Sequence, residues 1–482
     1  MMKLNENKLR DYWLHIGIVI LIYSVFFVFT SPRLLYNSNE HWREAMIFKN
    51  DGVIHAIKKS FPLFEPAYPF FLFLVSLIAP AGMGPKVVSI IQCIFLFICA
   101  LMMLDISHFF VKRKWIRIFV FYAVAVSPAL LTSALTLYSE MFAAFWCTLA
   151  IYCAWYAPRA KSRLTGYLLG IVSALCASIV ILSRAAFLYI FILTCLSVLV
   201  YFLFSRKNGL KIYIRNLVLY AVLTLIFPYL WMQRNEVVHG YKRIAVRGSL
   251  ILSGSFLHSQ DLFTPRDWLI ETIATVSENA ATALFKDINL RNYTWRRGDQ
   301  LGYEYLKKIN HERKIVDTDE YIKLFFNVKL DDAAMRQIMK DIISSDFPTL
   351  FRFFVLRFFQ LIGLIMFETF CYDTVAINAV WLSQILNFMP LRIVARIGLS
   401  FGYFFGFIMN FVLLIRNWKK EWLMSEQKDF LLLAWSSVIS YFVIYSFSPP
   451  NMRYTFVIAP VYILTAMLGW NAYLTHDQKR QN

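Results

Sequence analysis

Charge is scarce in this chain: Asp, Glu, Lys and Arg make up 16% of 482 residues, where soluble proteins carry about 25%. Acids are scarcer still, 30 against 49 Lys and Arg. An ordinary soluble domain is therefore excluded. Cysteine is sparse and unpaired in pattern. The seven (93, 99, 147, 153, 176, 195 and 371) lie in or beside apolar stretches with no CxxC, so neither a disulfide framework nor a thiolate metal site is implied; they read as small hydrophobes. The eight histidines show no HxxxH or HxD spacing, which leaves histidine metal ligation without support. There is no repeat period, low-complexity tract or glycine-rich phosphate loop.

What is abundant is apolar surface. Hydrophobic residues make up 59% of the chain, with 45 Phe and 13 Trp, and aromatic side chains gather at membrane interfaces. A helix crosses a bilayer with about twenty apolar residues. Spans are expected near 13–30, 88–110, 117–134, 141–157, 166–183, 185–204, 215–232, 394–415, 428–447 and 454–473. The first is too long for a signal-peptide core and lacks a small-residue cleavage site, so it is expected to be retained.

The net charge of +19 raises nucleic acid as a partner, but the placement of the basic residues answers it. They cluster between spans: Lys112, Arg113, Lys114 and Arg117; Arg159, Lys161 and Arg163; Arg206, Lys207, Lys211 and Arg215; Arg416, Lys419 and Lys420. With the N-terminus inside, every cluster falls on the cytoplasmic side, as the positive-inside rule requires, and both termini are cytoplasmic. Loops 31–87 and 233–345 then lie outside.

Two stretches are ambiguous. Pro66 to Pro80 is short for a crossing and reads as an interfacial or re-entrant helix. Segments 353–370 and 375–391 must both cross or neither, and Arg352 and Arg357 favour an amphipathic surface helix for the first, since a mid-bilayer charge is costly. The fold class is an all-α polytopic membrane protein of about 10–12 transmembrane helices, by the length rule, with interfacial helices and an external α-rich loop subdomain. The expected organisation is a transmembrane module 1–232 that includes the first external loop, an external subdomain 233–345, and a second transmembrane module 346–482.

Candidate chemistry gathers in the external turns. Glu40 lies in Tyr36-Asn37-Ser38-Asn39-Glu40-His41-Trp42, and Glu65-Pro66-Ala67-Tyr68-Pro69 heads an apolar run. Glu40 can be read as a solvated loop acid. Glu140, in Leu137-Tyr138-Ser139-Glu140-Met141, can be read as a first-turn acid behind a Ser139 cap. If these loops converge, two carboxylates meet at one mouth and divide proton-accepting and orienting roles. Arg184, Arg234 and Arg453 sit in external turns, against the charge bias. A phosphate partner explains them, as does snorkelling to lipid headgroups. His41, His239 and His258 are external too. A divalent cation between Glu40 and Glu140 has no support over direct arginine contacts, and no other cofactor is implied.

These residues resemble the GT-C superfamily of integral-membrane glycosyltransferases, in the branch of protein O-mannosyltransferases and the aminoarabinose transferase acting on lipid A. The resemblance rests on Asn39-Glu40, Pro66-Ala67-Tyr68-Pro69, Ser139-Glu140, Gly166 and Gly170 through Ser183-Arg184, Arg234-Asn235 and Arg453-Tyr454, in that order and all external. Family members often carry two acids where this chain has Asn39 before Glu40. The resemblance implies a polyprenyl-phosphate-sugar donor, a lipid-linked, glycan or protein acceptor presented outside a bacterial inner membrane, and inversion at the anomeric carbon. It implies Glu40 and Glu140 as catalytic residues, Glu40 the base. Asn39, Tyr68, Arg184, Arg234, Arg453 and Tyr454 would bind substrate. Two other classes compete. An O-antigen polymerase or ligase shares the spans, the large loop and the arginines without needing Glu40. A lipid-linked-sugar transporter should carry charges within its spans, and the spans here are almost free of charge apart from Asp105, near a cytoplasmic end, and Glu368, in an ambiguous segment.

Overall fold

A computed structural model describes residues 11–34, 37–59, 65–205, 210–240, 242–245, 328–364, 375–378, 400–412, 425–447 and 456–481, with scattered residues of 255–285 and 381–398. In chain order the helices are α1 (Trp13–Phe29), α2 (Asn37–Asp51), α3 (Val53–Lys59), α4 (Ala67–Ile78), α5 (Gly84–Phe110), α6 (Lys114–Ala125), α7 (Pro128–Leu135) and α8 (Ser139–Tyr156). There follow α9 (Arg163–Ser183), α10 (Phe187–Ser205), α11 (Leu210–His239), α12 (Glu278–Leu284), α13 (Val328–Ser345) and α14 (Phe347–Leu364). The last three are α15 (Ser400–Val412), α16 (Ser425–Ser446) and α17 (Ala459–Gln481). Among the described residues, six helices are long and apolar enough to cross a membrane, and four more are apolar but shorter. Each of the ten expected spans overlaps described helix, with 117–134 divided between α6 and α7. The fold is that of an all-α, multi-pass membrane protein, with one two-stranded ribbon among the described residues.

Local sequence explains the breaks. Pro128 opens α7 directly after Ser127, where a missing N–H costs nothing. Ser162 caps α9 by accepting from the Thr165 N–H at 3.0 Å, satisfying one orphan donor. Pro228 lies inside α11, a position membrane helices tolerate.

Helices associate in lipid through close packing and hydrogen bonds rather than through a hydrophobic driving force. Tyr23 Oη donates to the Ala125 carbonyl at 2.7 Å and ties α1 to α6. Ser173 of α9 donates to the Ala150 carbonyl of α8 at 2.7 Å. At the end of α5 nearest the basic clusters, buried Asp105 accepts from Tyr152 at 2.7 Å and from Tyr156, stapling α5 to α8. In the C-terminal half, Asn410 donates to the Thr465 carbonyl at 2.7 Å. A Cβ on Gly406 or Gly469 would collide with the facing backbone. One aromatic-rich core runs through both halves, from Tyr12 to Leu468.

Several expectations need correction. Segment 353–370 begins in helix α14, and Arg352 and Arg357 do not share one polar face. Arg352 is exposed, but Arg357 is 1% exposed, its guanidinium 4.7 Å from the Phe353 ring. Five residues at about 100° each put the two on faces roughly 140° apart, so one points in when the other points out. Segment 375–391 opens as a strand, not a helix: Val375–Ile377 pairs antiparallel with Thr30–Pro32. Arg234-Asn235 does not end the seventh span, because α11 continues to His239 and past the expected boundary at 232. The first external loop is largely helical, and its apolar run forms the 12-residue α4, about 18 Å long at 1.5 Å per residue and too short to cross. Most of 246–327, and Arg453 and Tyr454, lie outside the described residues.

Candidate active site

Chain direction gathers the site at one end of the bundle. The basic turns α5–α6 and α8–α9 share one end, so the α7–α8 and α9–α10 turns share the other. At that far end, Glu140 occupies the first turn of α8, where the helix dipole favours an acid. Tyr138, not Ser139, is the N-cap residue, and no side-chain hydrogen bond closes the cap. Glu140 is 3% exposed. Its carboxylate pairs with Arg184 Nη2 at 2.5 Å. Arg184 follows the last residue of α9 in extended geometry (φ −154°, ψ 104°), which turns its guanidinium back toward α8.

A second carboxylate engages the same turn. The Ala185 N–H donates to Glu65 Oε1 at 3.0 Å, across 120 residues of sequence. Glu65 stands just ahead of Pro66 and α4, so this bond ties the start of the short helix to the α9–α10 turn. Tyr68, in the first turn of α4, is fully buried. Its hydroxyl donates to Gln92 Oε1 at 3.3 Å, and the His41 ring meets its ring edge-on at 5.2 Å. Burial first, then the negative charge of Glu140, raises the Tyr68 pKa. The phenol therefore stays protonated as a donor.

Residue Glu40 lies in helix, not loop. It occupies the first turn of α2 and pairs with Arg43 at 3.2 Å, its side chain 32% exposed. Asn39 beside it is exposed. One turn along, the Glu44 carboxyl is pushed up to about 8, by burial first and then by the charge of Glu40; Arg43 opposes, and Glu65 adds a smaller push. Glu44 thus feels the acid that holds the Arg184–Ala185 turn. On the other side of that turn, Phe187 meets Tyr441 of α16 edge-on at 5.5 Å, so the C-terminal half closes the site.

Arg234 is held elsewhere. Its Nε donates to the Ile57 carbonyl of α3 at 2.6 Å, its Nη1 to Asn235 Oδ1 at 2.7 Å, and its guanidinium lies 4.9 Å from the Trp231 ring. Buried Asn235 donates to the Arg243 and Ile244 carbonyls at 2.6 and 3.3 Å. Arg234 and Asn235 thus tie α11 to α3 and to the chain beyond α11.

Glu140 and Arg184 come together with Tyr68 nearby, while Glu40 is paired with Arg43 on α2. Glu44, Glu65 and Gln92 carried no role in the sequence reading. Signals existed for two of them: Glu44 follows Glu40 by four, and Gln92 is a lone amide in an apolar run. Among the described residues, no three His, Cys, Asp or Glu side chains are grouped to hold a metal ion.

No protein-family model matches the chain, and no curated protein matches it. Among solved structures, the crystal structure of ArnT from Cupriavidus metallidurans in the apo state is similar over 95% of this chain and 76% of that one, at 14% identity and a TM-score of 0.36.

Proposed function

We propose that the chain is an integral-membrane glycosyltransferase of GT-C type, moving a sugar from a polyprenyl-phosphate donor to an acceptor at the external face of a bacterial inner membrane, with inversion. The observation that carries this reading is the buried Glu140–Arg184 pair, set in a turn that a second acid, Glu65, also holds, at the end of the bundle away from the basic clusters. A guanidinium already oriented by a carboxylate costs little reorganisation when negative charge grows on the departing lipid phosphate, the preorganised electrostatics that often dominate catalysis.

Glu40, reachable from solvent on α2, takes the acceptor's proton as the acceptor attacks the anomeric carbon. That role is worth roughly 10²–10⁴ in rate. Short, apolar α4 borders the groove for the prenyl tail, and the donor's phosphodiester supplies the energy, so no nucleotide, metal or other cofactor is assigned. Asn39 frames the acceptor side, with Arg453 and Tyr454 ahead of α17 in the chain. Membrane lipids surround the bundle, both termini face the cytoplasm, and the acceptor is a lipid-linked glycan, another glycan or a protein.

The test is transfer by purified protein from a panel of polyprenyl-phosphate sugars, with Glu40→Gln and Glu140→Gln as controls. Transfer by the wild type and its loss in both variants supports the reading. Undiminished transfer in Glu40→Gln would favour the polymerase or ligase class instead.

A further inference from the structure

Gln92 lies within the span α5 and is fully buried. An amide in an apolar span is costly unless its donors and acceptor are matched. The neighbouring turn explains its presence. Between α7 and α8 the chain leaves helical geometry at Thr136 (φ −105°, ψ 159°) and Tyr138 (φ −108°, ψ 151°), although Leu135, Thr136, Leu137 and Ser139 are all buried. Carbonyls released at the end of α7 have lost their helical partners and lie away from water.

The side chains of α5 supply the missing donors. Gln92 Nε2 donates to the Ala134 carbonyl at 3.1 Å and to the Thr136 carbonyl at 2.6 Å. Ser89 Oγ donates to the Leu135 carbonyl between them at 3.1 Å. Ser89 and Gln92 are three residues apart and share a helix face, so one face of α5 holds three consecutive carbonyls. With its N–H groups committed, the amide presents Oε1 to Tyr68, which donates to it.

We infer that Ser89 and Gln92 are positioning residues that hold the α7–α8 turn in shape and thereby set where Glu140 points. This rests on reading the Glu140–Arg184 pair as the catalytic centre. The turn reverses the chain between two spans, so continued helix cannot meet its carbonyls, and without donors from α5 they would be left buried and unsatisfied. The turn would then rearrange to reach other donors, and Glu140, just beyond it, would move relative to Arg184. The clamp therefore stabilises this turn geometry against rearranged ones. Through Tyr68 and His41 it also registers α4 and the helix bearing Glu40 against the same turn.

The experiment uses the full chain in lipid nanodiscs as wild type, Gln92→Leu, Gln92→Glu and Tyr68→Phe. Two quantities are measured: kcat and KM for polyprenyl-phosphate-sugar transfer, and amide hydrogen exchange of peptides covering 134–140 and, as a control, 145–156. Gln92→Leu is expected to lower kcat about 10²-fold, as small misplacements do, with KM within about twofold, the mark of an interaction needed in the transition state. Exchange at 134–140 should rise about tenfold while the control stays put. Gln92→Glu, which sets an acceptor against two acceptors, should be at least as harmful. Tyr68→Phe keeps the amide donors and should cost several-fold less. Unchanged exchange at 134–140 in Gln92→Leu, or loosening spread evenly over both peptides, overturns the clamp. Should the wild type transfer from no donor, the functional reading fails on its own, and the exchange comparison still decides the clamp.

Discussion

Two buried carboxylates in this bundle solve the same electrostatic problem in different ways. Asp105, near the basic end, accepts from two tyrosine hydroxyls of α8 through a single oxygen. Glu140, at the far end, is neutralised by the guanidinium of Arg184. The first arrangement is local: both donors lie one turn apart on one neighbouring helix, and the result is a staple. The second joins Glu140 on α8 to Arg184 at the end of α9, and adds Glu65, from ahead of α4, on the backbone of the same turn. A bundle that only needed to bury an acid could have used tyrosines at both ends. The guanidinium at the far end is what a negatively charged ligand group would require.

Removing a member of the ion pair should have the largest effect. Arg184→Ala takes the guanidinium away from buried Glu140, so stability should fall by about 3–5 kcal/mol and transfer by roughly 10²–10³, measured by denaturation in detergent and by turnover. Replacing both partners with apolar residues, Glu140→Leu with Arg184→Met, should restore most of the stability and none of the turnover. If turnover returned with stability, the pair would be another staple like Asp105.

Asp105→Asn should show the reverse balance. Losing a charge-assisted hydrogen bond costs about 1.5–3 kcal/mol, while kcat should stay within about twofold because no interaction specific to the transition state is removed. A large fall in kcat at unchanged melting temperature would erase the contrast between the two ends.

The third effect is a pH dependence. Folding raises the Glu44 carboxyl from an ordinary 4.5 to about 8. Between those values the folded chain holds a proton that the unfolded chain has released, so stability falls as pH rises through that window and levels off above it. Glu44→Gln removes this contribution. Its melting temperature relative to wild type should therefore climb from pH 5 to pH 8, and a constant difference would show that the carboxyl titrates normally. The smallest effect is expected at Arg234→Lys. That change keeps the charge but loses the planar fork that reaches both Ile57 and Asn235; about 1 kcal/mol of stability should go, read as a small shift in thermal denaturation.

The amino-acid sequence alone determined the membrane-crossing helices, their alternation of basic and non-basic ends, and the short helix at α4, because hydropathy and helix length are properties of contiguous residues. It also brought Glu40, Glu140 and Arg184 forward as candidates, since charged groups stand out where few are present, and Tyr68 through the family resemblance of its Pro-Ala-Tyr-Pro motif. Only the tertiary structure decided that Glu140 binds Arg184, that Glu65 holds the next amide, that Arg234 is tied to α3 instead, and that Arg357 is turned inward. Such pairings join segments up to 177 residues apart. Whether a charge is buried with a partner depends on which helix packs opposite, a relation that no local window of residues contains.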